Sequence, residues 1–597
     1  MNKARIKKLL ALHDAKQWED MERLARSYLK ADRRDGVAWA ALGTALENQA
    51  KDSMDAMQMA VKLLPLDPQV HFNLGNAFKW HGDKKSAELC YRRAIILKPQ
   101  YPEAYNNLGD ALQHTGQPYE ALKCYWAGIK MAPHLSNIQL NMGNCYVAVG
   151  QHDKAIQMYS LACQINPEFI EAHNARLFAN DLLPTQTVAS CQEERRAWNA
   201  KFTASLREDC LHYNNRDPER GLRIGYVSGD FRAHSAARAF GSVILNHDRA
   251  QFEIFAYANT KHDPDPYTAQ FKANVDHWVD VQKLSDQEFS DLVRQHQIDI
   301  LVDLSGHTGA NRLLSFARKP APIQCTGWGY ATGTGLQAMD VFFADQVVVP
   351  ESERHLYAEE VRYLPCVVGS YWVEEFPDVL ELPASVRGNI TFGSLNRFAK
   401  VTEDTMRLWA KVLLAVPNSV MVFKSGELQE EAHRERVSAI FAALGIPSTR
   451  LMFMGGTDWN AHMEVYNEID IALDPFPHGG GVTTLEALMM GVPVITLRWP
   501  TIPGRLSSSI LTALQMTDWI AETKDEYIAK TIEKADNLQD LTKTRQGLRA
   551  RFQASPIGDG RAYCRAVEAH YRDLWRRWCA QAKMTDGSVL HVPALQA

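Results

Sequence analysis

Apolar positions recur at helical spacing through about residue 180, in units of 34. Pro65, Pro99, Pro133 and Pro167 close successive units. Leu74-Gly75, Leu108-Gly109 and Met142-Gly143 mark the first helix of each. Ala87, Ala121 and Ala155, followed by Tyr91, Tyr125 and Tyr159, mark the second. A helix-turn-helix unit of this length cannot bury its apolar face alone, so successive units must stack. Residues 1–35 read as an irregular helix pair opening the stack, and 168–180 as a half repeat that caps it. A polar stretch over 181–219 follows, with one helix predicted at Cys191–Ala204.

Beyond it the pattern becomes one of short apolar runs alternating with helical ones. LRIGYVSG (222–229), FEIFAYA (252–258), IDILVDLSG (298–306) and VFFADQVVV (341–349) read as buried strands. A second series runs through 390–396, 419–426, 450–456, 469–474 and 492–497. The alternation predicts two doubly wound parallel sheets facing a cleft, with ligand chemistry outside the carboxyl ends of the strands. A last helix, Arg561 to Ala580, carries Tyr563, Tyr571, Trp575 and Trp578 on one face and is expected to pack back on the first sheet. The expected organisation is therefore a tetratricopeptide (TPR) superhelix over 1–180, a linker over 181–219, sheet domains over 220–385 and 386–580, and a tail over 581–597.

Composition changes this picture little. The net charge of -5 excludes a broad pull toward nucleic acid or anionic membrane. The start has too short an apolar core for a signal peptide, and no run is long enough for a membrane span. Ten cysteines without metal spacing point to a reducing cytoplasm.

Candidate chemistry sits in the repeats and at the strand ends. Asn73, Asn107 and Asn141 precede the glycine pair in three successive repeats. Such a row of amides either clamps the backbone of an extended peptide or bonds repeat to repeat as a structural ladder. In DPFPHGGGVTTLEALMMGVPVITL (474–497) a strand ends in a glycine-rich turn, Gly480 and Gly481 leading into Val482, Thr483 and Thr484 at a helix start. Free amides there suit a phosphate, and Glu486 one turn on suits ribose hydroxyls; the alternative is a plain strand-to-helix turn. Asn396, Arg397 and Lys400 follow another strand, as does Lys424, and the lysines suit a diphosphate or are merely solvated. His234 and His307 are strand-end histidines of the first sheet, His234 able to face the cleft and His307 expected to contact the acceptor, with a structural role as the alternative. Asp263-Pro-Asp265 imitates a D-x-D metal motif but reads as a turn.

TPR repeats followed by LRIGYVSGDFRAHS, LSGHTGANRLLSFARKPAPIQCTGWGY, FGSLNRFAKVTEDTMRLWAKVL and DPFPHGGGVTTLEALMMGVPVITL resemble the protein O-GlcNAc transferases and the SPINDLY-type protein O-fucosyltransferases, over about 37–578. The resemblance implies a glycosyltransferase B fold and inverting, metal-independent transfer from a nucleotide sugar to Ser/Thr hydroxyls of proteins held by the TPR groove, with no cofactor. Residue by residue it implies His234 beside acceptor and sugar, Lys400 at the diphosphate with Asn396 upstream, the Gly480–Thr484 turn as diphosphate cradle, Glu486 on the ribose and His462 on the base. Arg397 stands where the animal enzymes have glutamine, Trp459 where they have lysine, and Gly481-Val482 where they have His-Thr. The large insertion between the sheets is missing, and GHT at 306–308, NRFAKVT and Lys424 lean toward the SPINDLY-like branch. UDP-GlcNAc is the expected donor and GDP-fucose the alternative. An asparagine-directed transferase and an inactive scaffold stay open.

Overall fold

The computed structural model describes residues 3–206, 212–260, 264–369 and 375–586. The chain divides into two compact units, one of Met1–Ala172 with Glu427–Glu435 and the other of His173–Gly426 with Arg436–Ala597.

The first unit is the expected helical stack, opened by the pair Lys3–Asp14 and Trp18–Ala31. Its repeats are built on one contact. Gly75, Gly109 and Gly143 let the rings of Tyr91, Tyr125 and Tyr159 lie against the first helix, and a Cβ at these glycines would fall 2.5, 2.5 and 2.4 Å from the tyrosine Cε1. In the opening repeat Gly43 meets Met57 instead.

The asparagine row bonds repeat to repeat. Asn73 Nδ2 donates to Thr44 Oγ1 at 3.1 Å, Asn107 Nδ2 to Asn76 Oδ1 at 3.0 Å, and Asn141 Nδ2 to Asn106 Oδ1 at 2.9 Å. Asn73 is itself buried. One amide donor of each asparagine is thereby engaged within the stack, as in the structural ladder. Glu430, distant in sequence, belongs to this unit, where its carboxylate accepts the N–H groups of Tyr119 and Glu120 at the start of the helix Pro118–Met131. Capping of this kind satisfies donors that a helix start leaves open.

The second unit starts inside the helix Ile170–Asn180, so the expected boundary at 180 falls eight residues earlier. The linker helix, Val188–Phe202, is held by a buried ion pair of Arg195 and Asp181, with Tyr330 also donating to Asp181. Two all-parallel sheets follow. The first holds β1 (Leu222–Ser228), β2 (Phe252–Ala258), β3 (His277–Asp280), β4 (Ile300–Asp303), β5 (Ile323–Thr326), β6 (Val341–Ala344) and β7 (Glu360–Tyr363), in the order β3-β2-β1-β4-β5-β6-β7. The second holds β8 (Thr391–Ser394), β9 (Val420–Lys424), β10 (Leu451–Met454), β11 (Ile471–Leu473), β12 (Val494–Leu497) and β13 (Ile520–Ala521), in the order β10-β9-β8-β11-β12-β13.

Several strands, β6 among them, are shorter than the apolar runs. β6 stops at Ala344 because Asp345 turns the chain, accepting from the N–H groups of Val347 and Val348. The segment after β7 reaches the second sheet before residue 386, where Leu380 N–H donates to Asn467 and Ala384 N–H to Asp470. The last helix, Gly560–Asp586, returns to the first sheet as expected: Tyr563, Val567, Tyr571 and Trp575 share one core with Ile224, Tyr226, Ile254 and Ile300. The expected tail lies outside the described residues from 587 onward.

Candidate active site

Each sheet reverses its strand order once, between β1 and β4 in the first and between β8 and β11 in the second. Ligands of such sheets sit at these switch points, beyond the carboxyl ends. The loop after β1 carries His234, the loop after β8 carries Asn396 to Lys400, and the loop after β11 carries the glycine turn. Lys400 and Gly479, 79 residues apart, and Arg238 and Glu486, 248 apart, thus meet where ligand chemistry is expected.

The second-sheet wall is tightly bonded. Asp474, buried at the end of β11, accepts the Gly480 N–H at 2.7 Å and the Thr496 hydroxyl at 2.8 Å, which fixes the turn. A Cβ on Gly480 would come within 2.2 Å of Thr484 Oγ1, so the turn tolerates no side chain there. The helix Val482–Met489 begins directly after, and its first N–H groups have no intrahelical acceptor. The Thr483 hydroxyl donates to Asn396 Oδ1 at 2.9 Å, whereas Thr484 Oγ1 pairs with Ser507 Oγ at 2.8 Å and faces the interior. Lys400 Nζ donates to the Gly479 carbonyl at 2.8 Å. Burial, reinforced by Arg397 and opposed by Asp474, lowers the Lys400 ammonium to about 8. A cavity of about 10 Å³ between Ser394, Asn396, Tyr466, Asp474 and Thr483 has room for about one water beneath this wall.

The first-sheet wall supplies His234 and Arg238, one turn apart at the start of the helix Ser235–Leu245. His234 caps this helix: Nδ1 accepts the Ala236 N–H at 3.2 Å. The same Nδ1 also stands 3.4 Å from Asp230 Oδ2. Burial first, then Arg232, Arg397 and Arg238, lower the His234 pKa against the pull of Asp230. Arg238 Nη1 lies 3.1 Å from Glu486 Oε1, an ion pair from one sheet's helix to the other's. Its guanidinium also lies 5.7 Å from the Trp459 ring centre and 5.9 Å from that of Tyr267. His462 Nε2 stands 3.9 Å from the other Glu486 oxygen, and burial with Lys424 and Arg238 lowers its pKa to about 4.

The expected residues Asn396, Arg397, Lys400, His462, Gly480, Gly481, Val482, Thr483, Thr484, Glu486 and His234 therefore line or support two facing walls. Lys424 acts at one remove: its buried Nζ donates to Gly455 O and Thr457 Oγ1, holding the loop before the helix Trp459–Glu464 that carries His462. His307 contradicts the expectation of an acceptor contact. Its ring is buried at 1% exposure, with Nε2 on Thr334 O at 2.8 Å, Nδ1 on Asn174 Oδ1 at 3.2 Å and Trp198 against its edge. Burial lowers its pKa to about 3, so it is a neutral packing residue. Asp265 caps the helix Pro266–Ala273 through Thr268 N–H, as a turn residue does, and Asp263 lies outside the described residues. Sequence reasoning missed Asp474, Tyr466 and Arg238; the one usable signal for Arg238 was its spacing of four from His234 on a helix.

A larger cavity, about 370 Å³, lies at the amino ends of β1 and β2, lined by Arg220, Arg223 and Arg249. All three are paired, with Asp299, Glu253 and Asp276 respectively, and it is remote from the switch points.

Comparison with known proteins agrees with this geometry. The model of the family described as Glycosyl transferase family 41 matches residues 201–381 and 378–567, and a tetratricopeptide repeat model matches 100–168. A "Probable UDP-N-acetylglucosamine--peptide N-acetylglucosaminyltransferase SPINDLY" of Arabidopsis thaliana is 32% identical over 422 residues, 70% of this chain and 46% of that protein. The Arabidopsis thaliana relative named SEC, with the same activity in its name, is 28% identical over 373 residues, 60% of this chain and 38% of that protein. The chain thus spans less than half the length of the curated relatives it matches. Among solved structures, a mutant of the Thermobaculum terrenum O-GlcNAc transferase superposes with a TM-score of 0.80 at 31% identity, covering 86% of this chain and 98% of that one.

Proposed function

The chain belongs to glycosyl transferase family 41, and from that premise we propose that it moves GlcNAc from UDP-GlcNAc to Ser/Thr hydroxyls of proteins recruited by its TPR repeats. The observation that carries this reading is the meeting of Lys400 with the glycine turn, where Nζ bonds Gly479 O immediately before an open helix start. A nucleoside diphosphate leaving group needs fixed positive charge and aimed N–H donors, and this wall presents both. The names of the relatives, each a "Probable UDP-N-acetylglucosamine--peptide N-acetylglucosaminyltransferase", support the donor and acceptor classes.

In the proposed reaction the acceptor oxygen attacks the anomeric carbon as the bond to the diphosphate breaks, with inversion. As the glycosidic bond forms the acceptor O–H bond breaks, its proton passes to the departing diphosphate, and that diphosphate also takes up the electron pair of the broken anomeric C–O bond. Lys400 and the amides of the helix start absorb that charge, and Arg397 adds a second cation, so the residues themselves supply what a divalent ion would otherwise supply. Glu486 receives ribose hydroxyls, and His462 lies against the base. His234, with Nδ1 beside both the Ala236 N–H and the Asp230 carboxylate, orients sugar or acceptor. Most of the rate advantage then comes from holding donor and hydroxyl in line.

One observation favours a second donor. Trp459, which starts the helix that carries His462, packs edge to face against Phe376 with ring centres 5.6 Å apart, and an aromatic ring on the base side suits a purine and hence GDP-fucose. The test is transfer of isotope-labelled sugar to cellular proteins, read by mass spectrometry of the modified peptides. Label from UDP-GlcNAc on Ser or Thr, lost in Lys400→Met, is expected. Label only from GDP-fucose moves the chain to the second donor, and label on neither rejects the transferase reading.

A further inference from the structure

Glu486 is 3% exposed, and a carboxylate taken out of water is costly unless a cation or donors accompany it. Arg238 accompanies it from the opposite wall, at 3.1 Å on Oε1. The guanidinium is itself only partly accessible, its side chain 15% exposed, and it is flanked by Trp459 and Tyr267. These rings flank the planar cation, and its single N–H bond tethers one oxygen of the Glu486 carboxylate. Oε1 is thereby occupied from the first sheet while Oε2 faces His462 at 3.9 Å.

We propose that Arg238 is a positioning residue for donor ribose: it holds the Glu486 carboxylate from the opposite wall so that a ribose diol meets an oriented acceptor. The inference rests on the nucleotide-sugar reading of the cleft and goes beyond it in assigning ribose recognition to both sheets together. Glu486 rides on the helix of the glycine turn, and Arg238 on the helix capped by His234. A donor with both hydroxyls is therefore read only when the two walls are in register. The sugar acceptor wall and the nucleotide wall are coupled through one ion pair.

The test is calorimetric binding of UDP and of 2′,3′-dideoxy-UDP to the full chain and its variants, with the guanosine pair run alongside. The unaltered chain should prefer the diol form by on the order of tenfold or more. In Arg238→Met that preference should collapse toward unity while the dideoxy nucleotide binds about as before, and Arg238→Lys should restore part of it. A role in fold stability alone would weaken both nucleotides equally and lower the melting temperature. A preference kept intact in a folded Arg238→Met overturns the inference and leaves the nucleotide reading standing. Failure of the unaltered chain to bind any of the four nucleotides overturns both.

Discussion

Lys400 Nζ donates to the carbonyl oxygen of Gly479 at 2.8 Å, tying the loop after β8 to the turn after β11 across the switch point of the second sheet. A lysine left in water would sample many rotamers; this one is held against the turn whose amides open the next helix. The bond also lets the ammonium stay near the site without an anion, since a carbonyl accepts one of its three protons.

That ammonium sits at about 8 in the free chain, lowered by burial and by Arg397 and supported by Asp474. A bound diphosphate favours the charged form and raises it. Above pH 8 the complex then holds a proton that the free chain lacks, so affinity falls as pH rises, and below about pH 7 it is flat. Calorimetry of UDP from pH 7 to 9.5 should show a loss approaching tenfold per unit above 8, absent in Lys400→Met. An unaltered chain with the same affinity at both ends would contradict the placement of Lys400 at the phosphates.

Gly480→Ala separates a cradle from a plain turn. The new Cβ lands 2.2 Å from Thr484 Oγ1 and 2.9 Å from Asp474 Oδ1, so the turn must move away from the bonds that fix it. Nucleotide affinity should drop at least about tenfold, while the melting temperature shifts by only a few degrees because a single turn is displaced. Equal affinity in the variant would remove the turn from the site.

In the repeats, Gly109→Ala should cost about 1–3 kcal/mol, because its Cβ would meet the buried Tyr125 ring at 2.5 Å. Asn107→Ala should cost about 1 kcal/mol by breaking the bond to Asn76. Urea unfolding measures both. Asn107→Ala with unchanged stability and lost acceptor binding would restore the peptide-clamp reading.

Asp181→Ala probes the junction at the start of the second unit. It strips the partner from Arg195, whose side chain is 1% exposed, and removes an acceptor of Tyr330. Removing one member of such a pair costs about 3–5 kcal/mol, so the midpoint of the sheet unit's transition should fall markedly. Asp181→Ala melting with the unaltered chain would mean that the pair carries no net stability.

Much of this fold was legible because its rules are local. A period of 34 places Gly75, Gly109 and Gly143 opposite Tyr91, Tyr125 and Tyr159. β1 and β2 are continuous apolar runs that match their observed limits closely. β3, with the half-exposed pattern of His277–Asp280, and β5, whose Gln324 is buried with its amide on Phe316 O and Ala338 O, lack that signal. The two-residue β13 is below what any pattern resolves.

The site was legible where a motif is contiguous and opaque where it is assembled. The glycine turn declares itself, since three glycines before a helix have few other uses. His234 and His307 look alike in sequence, both polar residues after a strand. The chain after β4 turns inward at Gly306, with φ +54° and the Tyr330 carbonyl packed on it, and this buries His307. Arg238 reads as an ordinary helix-surface arginine until the second sheet brings Glu486 to it.

The central claim is that the two walls form a nucleoside diphosphate-sugar site of the uridine series. Its most direct measurement is calorimetry of the full chain with UDP, UDP-GlcNAc, GDP and GDP-fucose in the presence of a metal chelator. Binding of UDP and UDP-GlcNAc with dissociation constants on the order of 1 μM to 1 mM, and at least about tenfold weaker binding of the guanosine pair, is the expected result. A guanosine preference would contradict the donor assignment, and no binding by any of the four would contradict the site itself.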